Sequence, residues 1–510
     1  MESRLNIIRQ GSQNKLTLEK TKMRKKLSRI GIIDIGSNSV RMVVFASQTR
    51  LPIPVFNEKV TCGLGRDLGK TNQLNPEGCD LAIQTLKRFC GMAKEMQINT
   101  LKIIATSAVR EADDGKRFSK KIERSFGHKV NVLTGSVEAE LCAKGVLGAN
   151  PEADGLLGDM GGGSLELVSL NQGCAGKTTT LPLGHLRISD AVEESGCDAD
   201  TIIDEHLKKI GWLSDLEQKD FYLVGGIWRA IARIYIQQKD YPIKIIDNLT
   251  INKQDAVAIT EVISKLSRSS LKKITSVGRR RIDTLPIATV VLRRIIDKIS
   301  PKRLIFSSYG IREGKFFEMV PRELMDQDPL ISACEYYGFQ AGRFSVSRDE
   351  VFSWVKVIFK DIDPREIRLI EAACLLGDIG WPEHPDYRAM HSFTRVLRLP
   401  IAGITHRERV LLALSIYHRY GGDEYGPEIT ITTKLIDQKD RDLALILGLV
   451  LKLAHKLSGG VTGLLIQTKL VKTKNGYLVD FSNKEHLFNT TYVANLITKI
   501  NKHIRLIEFC

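Results

Sequence analysis

This chain of 510 residues lacks several features that would assign it to a protein class at once. Its longest strongly apolar stretch, Leu443–Val450, ends near Lys452 and is far shorter than the roughly 20 residues that cross a bilayer. We therefore expect no transmembrane helix. Its nine cysteines form no C-x-x-C pair and lie within apolar patterns, which favours a reduced cytoplasmic protein over a disulfide-rich secreted one.

Aromatic and acidic residues are scarce as well. Aromatics make up 6% of the chain, and zinc-finger spacing, an RNP-like aromatic cluster and a long basic helix are all missing, so a specific nucleic-acid module is not favoured. Lys and Arg number 75 against 59 Asp and Glu, which gives a net charge of +16 and predicts an anionic partner. A phosphate-rich substrate explains this charge as well as a nucleic acid does.

The two commonest nucleotide-binding motifs are also missing. The chain has no G-x-x-x-x-G-K-[ST] motif, and no G-x-G-x-x-G follows its first predicted strand. Both motifs place glycine main chain around a phosphate, so their absence argues against a Walker-type ATPase and against a Rossmann dehydrogenase.

The sequence does contain one short motif that occurs twice, at Asp34–Arg41 and at Asp159–Glu166. Each copy has Asp, an apolar residue, Gly, two small or polar residues, Ser, an apolar residue and a charged residue. Apolar residues on both sides predict a strand, a tight turn and a second strand. Such a turn exposes main-chain N–H groups that bind anions, and the Asp can hold a hard cation. Two such hairpins facing each other would bind a phosphate from both sides.

The chain is long enough for three or four domains. Residues 30–150 and 151–318 alternate predicted strands and helices, and each region opens with a copy of the hairpin, which predicts two α/β domains with the ligand between them. Residues 319–430 have helical spacing, and residues 431–510 form a small α/β domain with a hairpin signal at Asn475-Gly476. Residues 1–29 contain nine Lys or Arg and two Glu, and we expect a solvated basic tail.

These motifs resemble the Ppx/GppA family of exopolyphosphatases and guanosine pentaphosphate phosphohydrolases. Besides the two hairpins, the segments that carry the resemblance are Ala105–Ala112, Thr134–Glu140 and Gly310–Gly314. The resemblance implies an α/β fold with two actin-like, Hsp70-like and sugar-kinase-like (ribonuclease H-like) domains and an active site in the cleft between them. It also implies an HD-like helical domain and a small α/β cap at the C-terminal end.

The resemblance places catalysis on Glu138 and Arg110. Glu138 would take a proton from the water that attacks the terminal phosphorus, and nearby acids would raise its pKa. Without the resemblance, Glu138 is better explained as an exposed glutamate at a helix start. Arg110 would hold phosphate oxygens through its planar guanidinium, and the alternative is a surface salt bridge to Glu111 or Asp113.

The resemblance also implies ligands for a metal and for phosphate. Asp34, Asp159 and Glu166 supply oxygen ligands suited to Mg²⁺, directly or through water, and K⁺ is a candidate second cation. The expected phosphate-binding residues come from the two hairpin turns and from two arginines: Asn38, Ser39, Arg41, Gly161, Gly162, Gly163, Ser164 and Arg281.

The C-terminal region resembles an HD-type domain in which Gly377-Asp378 replaces the metal-binding His-Asp pair. Because glycine cannot ligate a metal, we expect no second hydrolase there. Three histidines of this region are expected to be structural or to contact a polyanion, and four arginines to extend a basic channel for a long chain. These residues are His384, His391, His418, Arg388, Arg395, Arg407 and Arg409.

We therefore expect an exopolyphosphatase that hydrolyses the terminal phosphate of inorganic polyphosphate processively, with Mg²⁺ and with Glu138 as the general base. Hydrolysis of guanosine pentaphosphate (pppGpp) is the alternative within the same class. Two alternatives come from other classes: a sugar-kinase-like phosphotransferase, and a non-catalytic sensor of polyphosphate or guanosine alarmones. The expected protein is a cytoplasmic homodimer without a specific nucleic-acid partner.

Overall fold

The computed structural model describes residues 29–508 except 273, 275–277, 279–280, 344–347, 360–361, 482–487 and 489. The chain forms two compact units. The first extends to Tyr235 and resumes over Thr250–Asp326, and the second comprises Ile236–Leu249 and the chain from Gln327 onward. Nearly all of the predicted basic tail, residues 1–28, lies outside the described residues, and the finer division into domains stays a prediction. Among the described helices, none has the length and apolar character needed to span a bilayer.

The first sheet has five strands in the order β3-β2-β1-β4-β5, with β1, β2 and β3 antiparallel and β4 and β5 parallel to β1. The strands are β1 Ile30–Ile35, β2 Ser39–Phe45, β3 Pro54–Thr61, β4 Thr100–Ala105 and β5 Val130–Val132. The accompanying helices are α1 Leu68–Thr71, α2 Pro76–Glu95, α3 Ser107–Glu111, α4 Gly115–Phe126 and α5 Gly135–Ala149.

The second sheet has six strands in the order β10-β11-β9-β6-β7-β8. The strands are β6 Gly155–Met160, β7 Leu165–Asn171, β8 Cys174–Leu181, β9 Asp220–Val224, β10 Leu249–Asn252 and β11 Arg303–Phe306. The helices are α6 His185–Ser195, α7 Ala199–Leu207, α8 Trp228–Gln238, α9 Lys253–Lys265, α10 Arg268–Lys272, α11 Leu285–Ile299, α12 Ile311–Phe317 and α13 Arg322–Met325, with a 3₁₀ turn at Gly211–Leu216.

The two sheets repeat one topology. The order β3-β2-β1-β4-β5 matches β8-β7-β6-β9-β11, since each sheet begins with an antiparallel meander and continues with parallel strands. Both hairpin turns are closed by the same hydrogen bond: Gly36 N–H donates to Ser39 O, and Gly161 N–H donates to Ser164 O, each over 3.0 Å. The predicted duplication of a strand, turn and strand is confirmed.

Two expectations about secondary structure were wrong. The helical spacing of residues 189–216 predicts one helix, but the structure breaks it, because Gly196 adopts a left-handed conformation (φ 66°) that ends α6, and α7 begins only at Ala199. Strands β3 and β8 were missed because they lie outermost in their antiparallel meanders, and half of the residues in each are polar or charged, which hides the alternating pattern of a half-buried strand.

Helices α5 and α12 approach each other at glycines. A Cβ atom at Gly314 would overlap the carbonyl oxygen of Leu141, and one at Gly145 would overlap the carbonyl oxygen of Gly310. No side chain larger than hydrogen fits at either crossing point without moving main chain. The contact therefore fixes the spacing of two helices of the first unit that lie far apart in the chain.

The second unit is mainly helical. Its helices are α14 Pro329–Ala341, α15 Arg348–Val355, α16 Pro364–Leu375, α17 Arg388–Arg398, α18 His406–Arg419, α19 Pro427–Thr432, α20 Gln438–Ser458 and α21 Thr490–Glu508, with 3₁₀ turns at Lys356–Phe359, Thr433–Leu435 and Leu465–Gln467. A two-stranded sheet, β12 Lys469–Thr473 and β13 Gly476–Asp480, contains the predicted hairpin, in which Thr473 pairs with Gly476. The long helix α20 is mostly buried.

We predict that Gly314→Ala lowers the free energy of unfolding by about 3 kcal/mol, because the added methyl group forces α5 and α12 apart. The matched control is Gly91→Ala, since Gly91 is an exposed residue of α2 whose Cβ would meet nothing within 4 Å. That change should raise the free energy of unfolding by roughly 0.5–1 kcal/mol. Urea denaturation of both variants measures the two effects, and equal midpoints would contradict the glycine contact.

Candidate active site

The turns of the two hairpins lie against each other. A Cβ atom at Gly162 would lie 3.3 Å from Ser37 Cβ, and one at Gly163 would lie 2.9 Å from Ser107 Oγ. The hydroxyls of Ser37 and Ser107 share a buried hydrogen bond of 2.9 Å. Because Ser107 begins helix α3, this contact also fixes the helix that carries Arg110.

The second turn is held from the other side by helix α6. The N–H of Leu186 donates to Gly162 O over 3.0 Å, and the N–H of His185 donates to Gly161 O over 3.3 Å. A Cβ atom at Gly184 would overlap the carbonyl group of Gly162, so the chain that enters α6 must also be small. The conformation of the glycine turn is thus set by packing as well as by its own sequence.

Glu138 lies in the first turn of α5, which begins after the N-cap residue Thr134. It is 9% exposed, so the alternative interpretation as an exposed helix-start glutamate does not hold. The guanidinium of Arg110 donates from Nη1 to Glu138 Oε2 over 2.9 Å and to Leu133 O over 3.0 Å, and it lies 3.5 Å from a carboxylate oxygen of Glu111. The two residues expected to catalyse hydrolysis therefore form a largely buried ion pair.

Burial raises the pKa of Glu138 to about 7. The hydrogen bond and charge of Arg110 oppose this shift, whereas the negative charges of Asp159 and Asp34 add to it. A carboxyl group with this pKa can exchange its proton near neutral pH, which is what a general base or acid requires.

Asp159 and Glu166 face each other across the second hairpin, where they are paired in register on β6 and β7. Burial raises the pKa of both carboxyl groups, and the neighbouring negative charges of Glu138 and Asp159 raise that of Glu166 further. Glu166 Oε1 is buried without a hydrogen-bond partner among the described residues. Two carboxylates opposed in this way destabilise the folded chain unless a proton or a cation lies between them.

This donor set fits a Mg²⁺ ion. Within the part of the chain that the structure describes, no three His, Cys, Asp or Glu side chains form a ready metal cluster. Mg²⁺ is usually held by only one or two carboxylates together with water and substrate phosphates, and the unpartnered oxygen of Glu166 beside Asp159 suits that arrangement. Asp34 differs, because its Oδ2 accepts a hydrogen bond of 3.1 Å from Arg312.

Positive charge collects at the first hairpin. Arg41 is paired in register with Asp34 and donates from Nε to Asn57 Oδ1 over 2.8 Å. Burial lowers the pKa of Arg41 to about 10, and repulsion by Arg312 adds to this shift. The guanidinium of Arg281 lies against the turn after β9, where Nη2 is 2.6 Å from the position of a Cβ at residue 226.

The structure brings the predicted acids and Arg110 into one electrostatic network, and it brings Arg41 and Arg281 into a second network beside the first. Asn38 accepts two main-chain hydrogen bonds through its carbonyl oxygen, and the Ser164 hydroxyl donates to Glu166. Sequence reasoning missed several neighbours of these groups. They are Ser37, Ser107, Cys142, Arg229 and Arg312.

Three of the missed residues stood within segments that the sequence had already marked. Ser37 belongs to Asp34–Arg41, Ser107 to Ala105–Ala112 and Arg312 to Gly310–Gly314. Arg229 stands just after the Gly225-Gly226 turn that follows β9. Burial lowers the pKa of Arg229 to about 10, with repulsion from Arg312 as the next cause. The segment around Arg312 was recognisable from the sequence, but its residue spacing does not show that the guanidinium of Arg312 contacts Asp34.

In the second unit, arginine side chains surround Asp378, the aspartate of the HD-like Gly377-Asp378 pair. Asp378 forms ion pairs with Arg343 and Arg419, each at 3.2 Å, and its Oδ1 lies 3.3 Å from His455 Nδ1. A Cβ atom at Gly377 would overlap the His455 ring. Burial lowers the pKa of His455 to about 3, so this imidazole is neutral. The guanidiniums supply the positive charge that a metal would bring.

Other residues of the expected basic channel have structural partners. Arg409 is buried and donates to the carbonyl oxygens of Leu397, Leu399 and Ile401, so the expectation that it contacts a polyanion was wrong. His418 is also buried and lies 2.7 Å from Gly422 O through Nδ1, which assigns it a structural role.

Comparison with known proteins gives two family matches. Residues 43–323 match the model of the Ppx/GppA phosphatase family, and residues 354–490 match the model described as "Exopolyphosphatase, C-terminal". Two solved structures share the fold. An exopolyphosphatase from Cytophaga hutchinsonii is 23% identical with a TM-score of 0.53, covering 57% of this chain and 99% of its own. An Aquifex aeolicus Ppx/GppA family member is 21% identical with a TM-score of 0.51, covering 59% and 100%.

Two curated proteins are similar in sequence. Retrograde regulation protein 2 of Saccharomyces cerevisiae is 26% identical over 443 residues, which are 77% of this chain and 73% of the yeast protein. A bifunctional 3-dehydroquinate synthase/phosphatase of Fusobacterium nucleatum is 25% identical over 312 residues, which are 56% of this chain and 46% of that protein.

We predict that Glu138→Gln changes the pH dependence of stability. Folding raises the pKa of Glu138 from 4.5 to about 7, so folding favours the protonated carboxyl group. This contribution is complete below about pH 4.5 and is lost as the pH rises through about 7. Between pH 5 and pH 8 the wild-type protein should lose on the order of 3 kcal/mol relative to the variant. Urea denaturation in a chelating buffer at several pH values checks this, and a constant difference would exclude the shift.

Proposed function

Because this chain belongs to the Ppx/GppA phosphatase family, we propose that it removes the terminal phosphate from inorganic polyphosphate by hydrolysis. The single observation that carries the proposal is the Glu138–Arg110 ion pair beside the duplicated glycine turns. It combines a carboxyl group that titrates near neutrality with a guanidinium suited to phosphate oxygens.

The proposed mechanism begins with the proton of the attacking water. Glu138 accepts this proton while the water oxygen forms a bond to the terminal phosphorus. The bond from that phosphorus to the bridging oxygen breaks, and orthophosphate and a chain shortened by one phosphate are released. Arg110 keeps the carboxylate of Glu138 oriented through its hydrogen bond of 2.9 Å and lies ready to bind a phosphate oxygen.

The remaining residues bind and orient the chain. The N–H groups of Gly162, Gly163, Ser164 and Asn38 would donate to phosphate oxygens, whereas the N–H of Gly161 already closes its turn on Ser164 O. Arg41 and Arg281 would offset the charge of the following phosphates. Asp159 and Glu166 would hold Mg²⁺, and a bound Mg²⁺ would neutralise charge on the phosphate oxygens as in other phosphoryl-transfer sites. Asp34 would hold the guanidinium of Arg312 in place through the ion pair that the two residues already form.

Two other functions remain candidates. Hydrolysis of guanosine pentaphosphate uses the same site and the same chemistry. A non-catalytic sensor of polyphosphate or guanosine alarmones is favoured by one observation: the yeast relative, matched over 73% of its length, carries the name of a regulation protein. The assay that separates them measures phosphate release from long polyphosphate and from guanosine pentaphosphate side by side, with and without Mg²⁺. Binding without turnover would support the sensor.

We predict that Glu138→Gln lowers the rate of phosphate release by about 10²–10⁴-fold, because the amide cannot accept the proton of the attacking water. Its affinity for polyphosphate should change little, since Arg110 and the turns remain. Glu140→Gln is the matched control, because Glu140 is an exposed residue of the same helix and should keep wild-type turnover. Undiminished turnover by Glu138→Gln would remove Glu138 from the mechanism.

We also predict that affinity for long polyphosphate falls steeply with salt concentration. The chain carries a net charge of +16, and a polyanion that binds to such a protein releases condensed counterions. A plot of log Kd against log salt concentration for the Glu138→Gln variant, which binds without cleaving, should have a slope corresponding to several phosphate contacts. A flat plot would show that few charged groups contact the polyphosphate chain.

A further inference from the structure

Lys59 lies next to the site but belongs to none of the motifs discussed above. It is the residue of β3 that pairs in register with Arg41 of β2, and Arg41 in turn pairs with Asp34 of β1. Two positive side chains directly opposite each other on neighbouring strands destabilise a sheet. This loss of stability is explained if an anion binds between or above the side chains of Arg41 and Lys59.

The surroundings of Lys59 are strongly positive. Lys59 is an exposed residue of β3, and its amino group is only partly desolvated. After this desolvation, the groups that act most on the amino group are the guanidiniums of Arg281, Arg41, Arg312 and Arg229. The adjacent acid on its own strand, Glu58, points to the opposite face, because strand residues alternate, and it is bonded to Arg88.

The neighbouring carboxylates offset only part of this positive field, since Glu313, Asp34 and Asp159 face five cationic side chains. Glu313 accepts the N–H of Gly310 over 2.9 Å, and Asp34 is paired with Arg312. His185, at the start of α6, feels the same field: burial lowers its pKa to about 4, with Arg281 and Lys59 as further causes, so its imidazole is neutral. Its Nδ1 is buried without a hydrogen-bond partner among the described residues.

We propose that Lys59 binds a phosphate group of the substrate beyond the one that is cleaved, and that it thereby favours long polyphosphate over short chains. This inference rests on the proposed function. Lys59 lies two strands away from Asp34, a separation of roughly 10 Å across the sheet. A single phosphate group does not span that distance, whereas a chain of several phosphates does.

Lys59 differs from its arginine neighbours because it can lose its charge within an accessible pH range. Partial desolvation of its amino group and repulsion by the guanidiniums lower the pKa of Lys59 to about 8, so this exposed side chain loses its charge as the pH rises through about 8. Its contribution to the binding of a polyanion should therefore be present at pH 7 and lost as the pH rises through 8. An arginine at this position would stay charged across the whole range.

The test compares Lys59→Gln and Lys59→Arg with the wild-type protein, using long polyphosphate and tripolyphosphate as substrates. Lys59→Gln should raise KM for long polyphosphate about tenfold with little change in kcat, and should raise KM for tripolyphosphate much less. In the wild-type protein, KM for long polyphosphate should rise between pH 7 and pH 9, and Lys59→Arg should remove this rise. Lys102→Gln, an exposed lysine of β4 in the same sheet, is the matched control.

Equal effects of Lys59→Gln on both substrates, or the same pH profile for Lys59→Arg and wild type, would overturn the proposal. Equilibrium binding of long polyphosphate to the same variants separates this inference from the proposed function. If the wild-type protein binds polyphosphate without releasing phosphate, hydrolysis is disproved, and the change in Kd of Lys59→Gln still decides the role of Lys59. If it binds no polyphosphate, both proposals fail.

Discussion

The geometry of the first unit depends on the glycine contact between helices α5 and α12. These helices are separated by more than 160 residues in the chain, yet main chain touches main chain where they cross. Glu138 stands near the start of α5 and Arg312 near the start of α12, so the same contact sets where a titrating carboxyl group and a buried guanidinium enter the site. Small residues at the crossing leave little freedom for either group to move.

Around that contact, the site separates charge into two parts. The second hairpin contributes Asp159 and Glu166, whose charges are costly to bury, while the first contributes Arg41 with Lys59 and further arginines beside it. Under the proposed function, a phosphate chain with a divalent cation at its end would fit both parts, because the cation would lie at the acids and the chain at the basic side chains. The two hairpins have the same turn hydrogen bond and differ in the last residue of the motif, which is Arg41 in the first and Glu166 in the second.

Much of this could be predicted from the sequence because the hairpin signals are local. Asp34–Arg41 and Asp159–Glu166 each contain their turn, the adjoining ends of two strands and their charged residues within eight positions. The contact of Asp34 with Arg312 spans 278 positions, and only tertiary packing creates it. Strand β3 was missed because its charged residues mask the strand pattern, and the in-register pairing of Lys59 with Arg41 was therefore not foreseen. Glu138 could be assigned to the site only through the resemblance, because its local sequence alone is that of an exposed glutamate favoured by the dipole at a helix start.

The ion pairs of Asp378 have a consequence for how metal dependence should be understood in this chain. Where an HD-type domain would use a removable divalent cation, Arg343 and Arg419 provide covalently attached positive charge. A guanidinium cannot be extracted by a chelator or exchanged for another metal, and it holds its proton at every physiological pH. The fold of the second unit around Asp378 is therefore independent of metal supply.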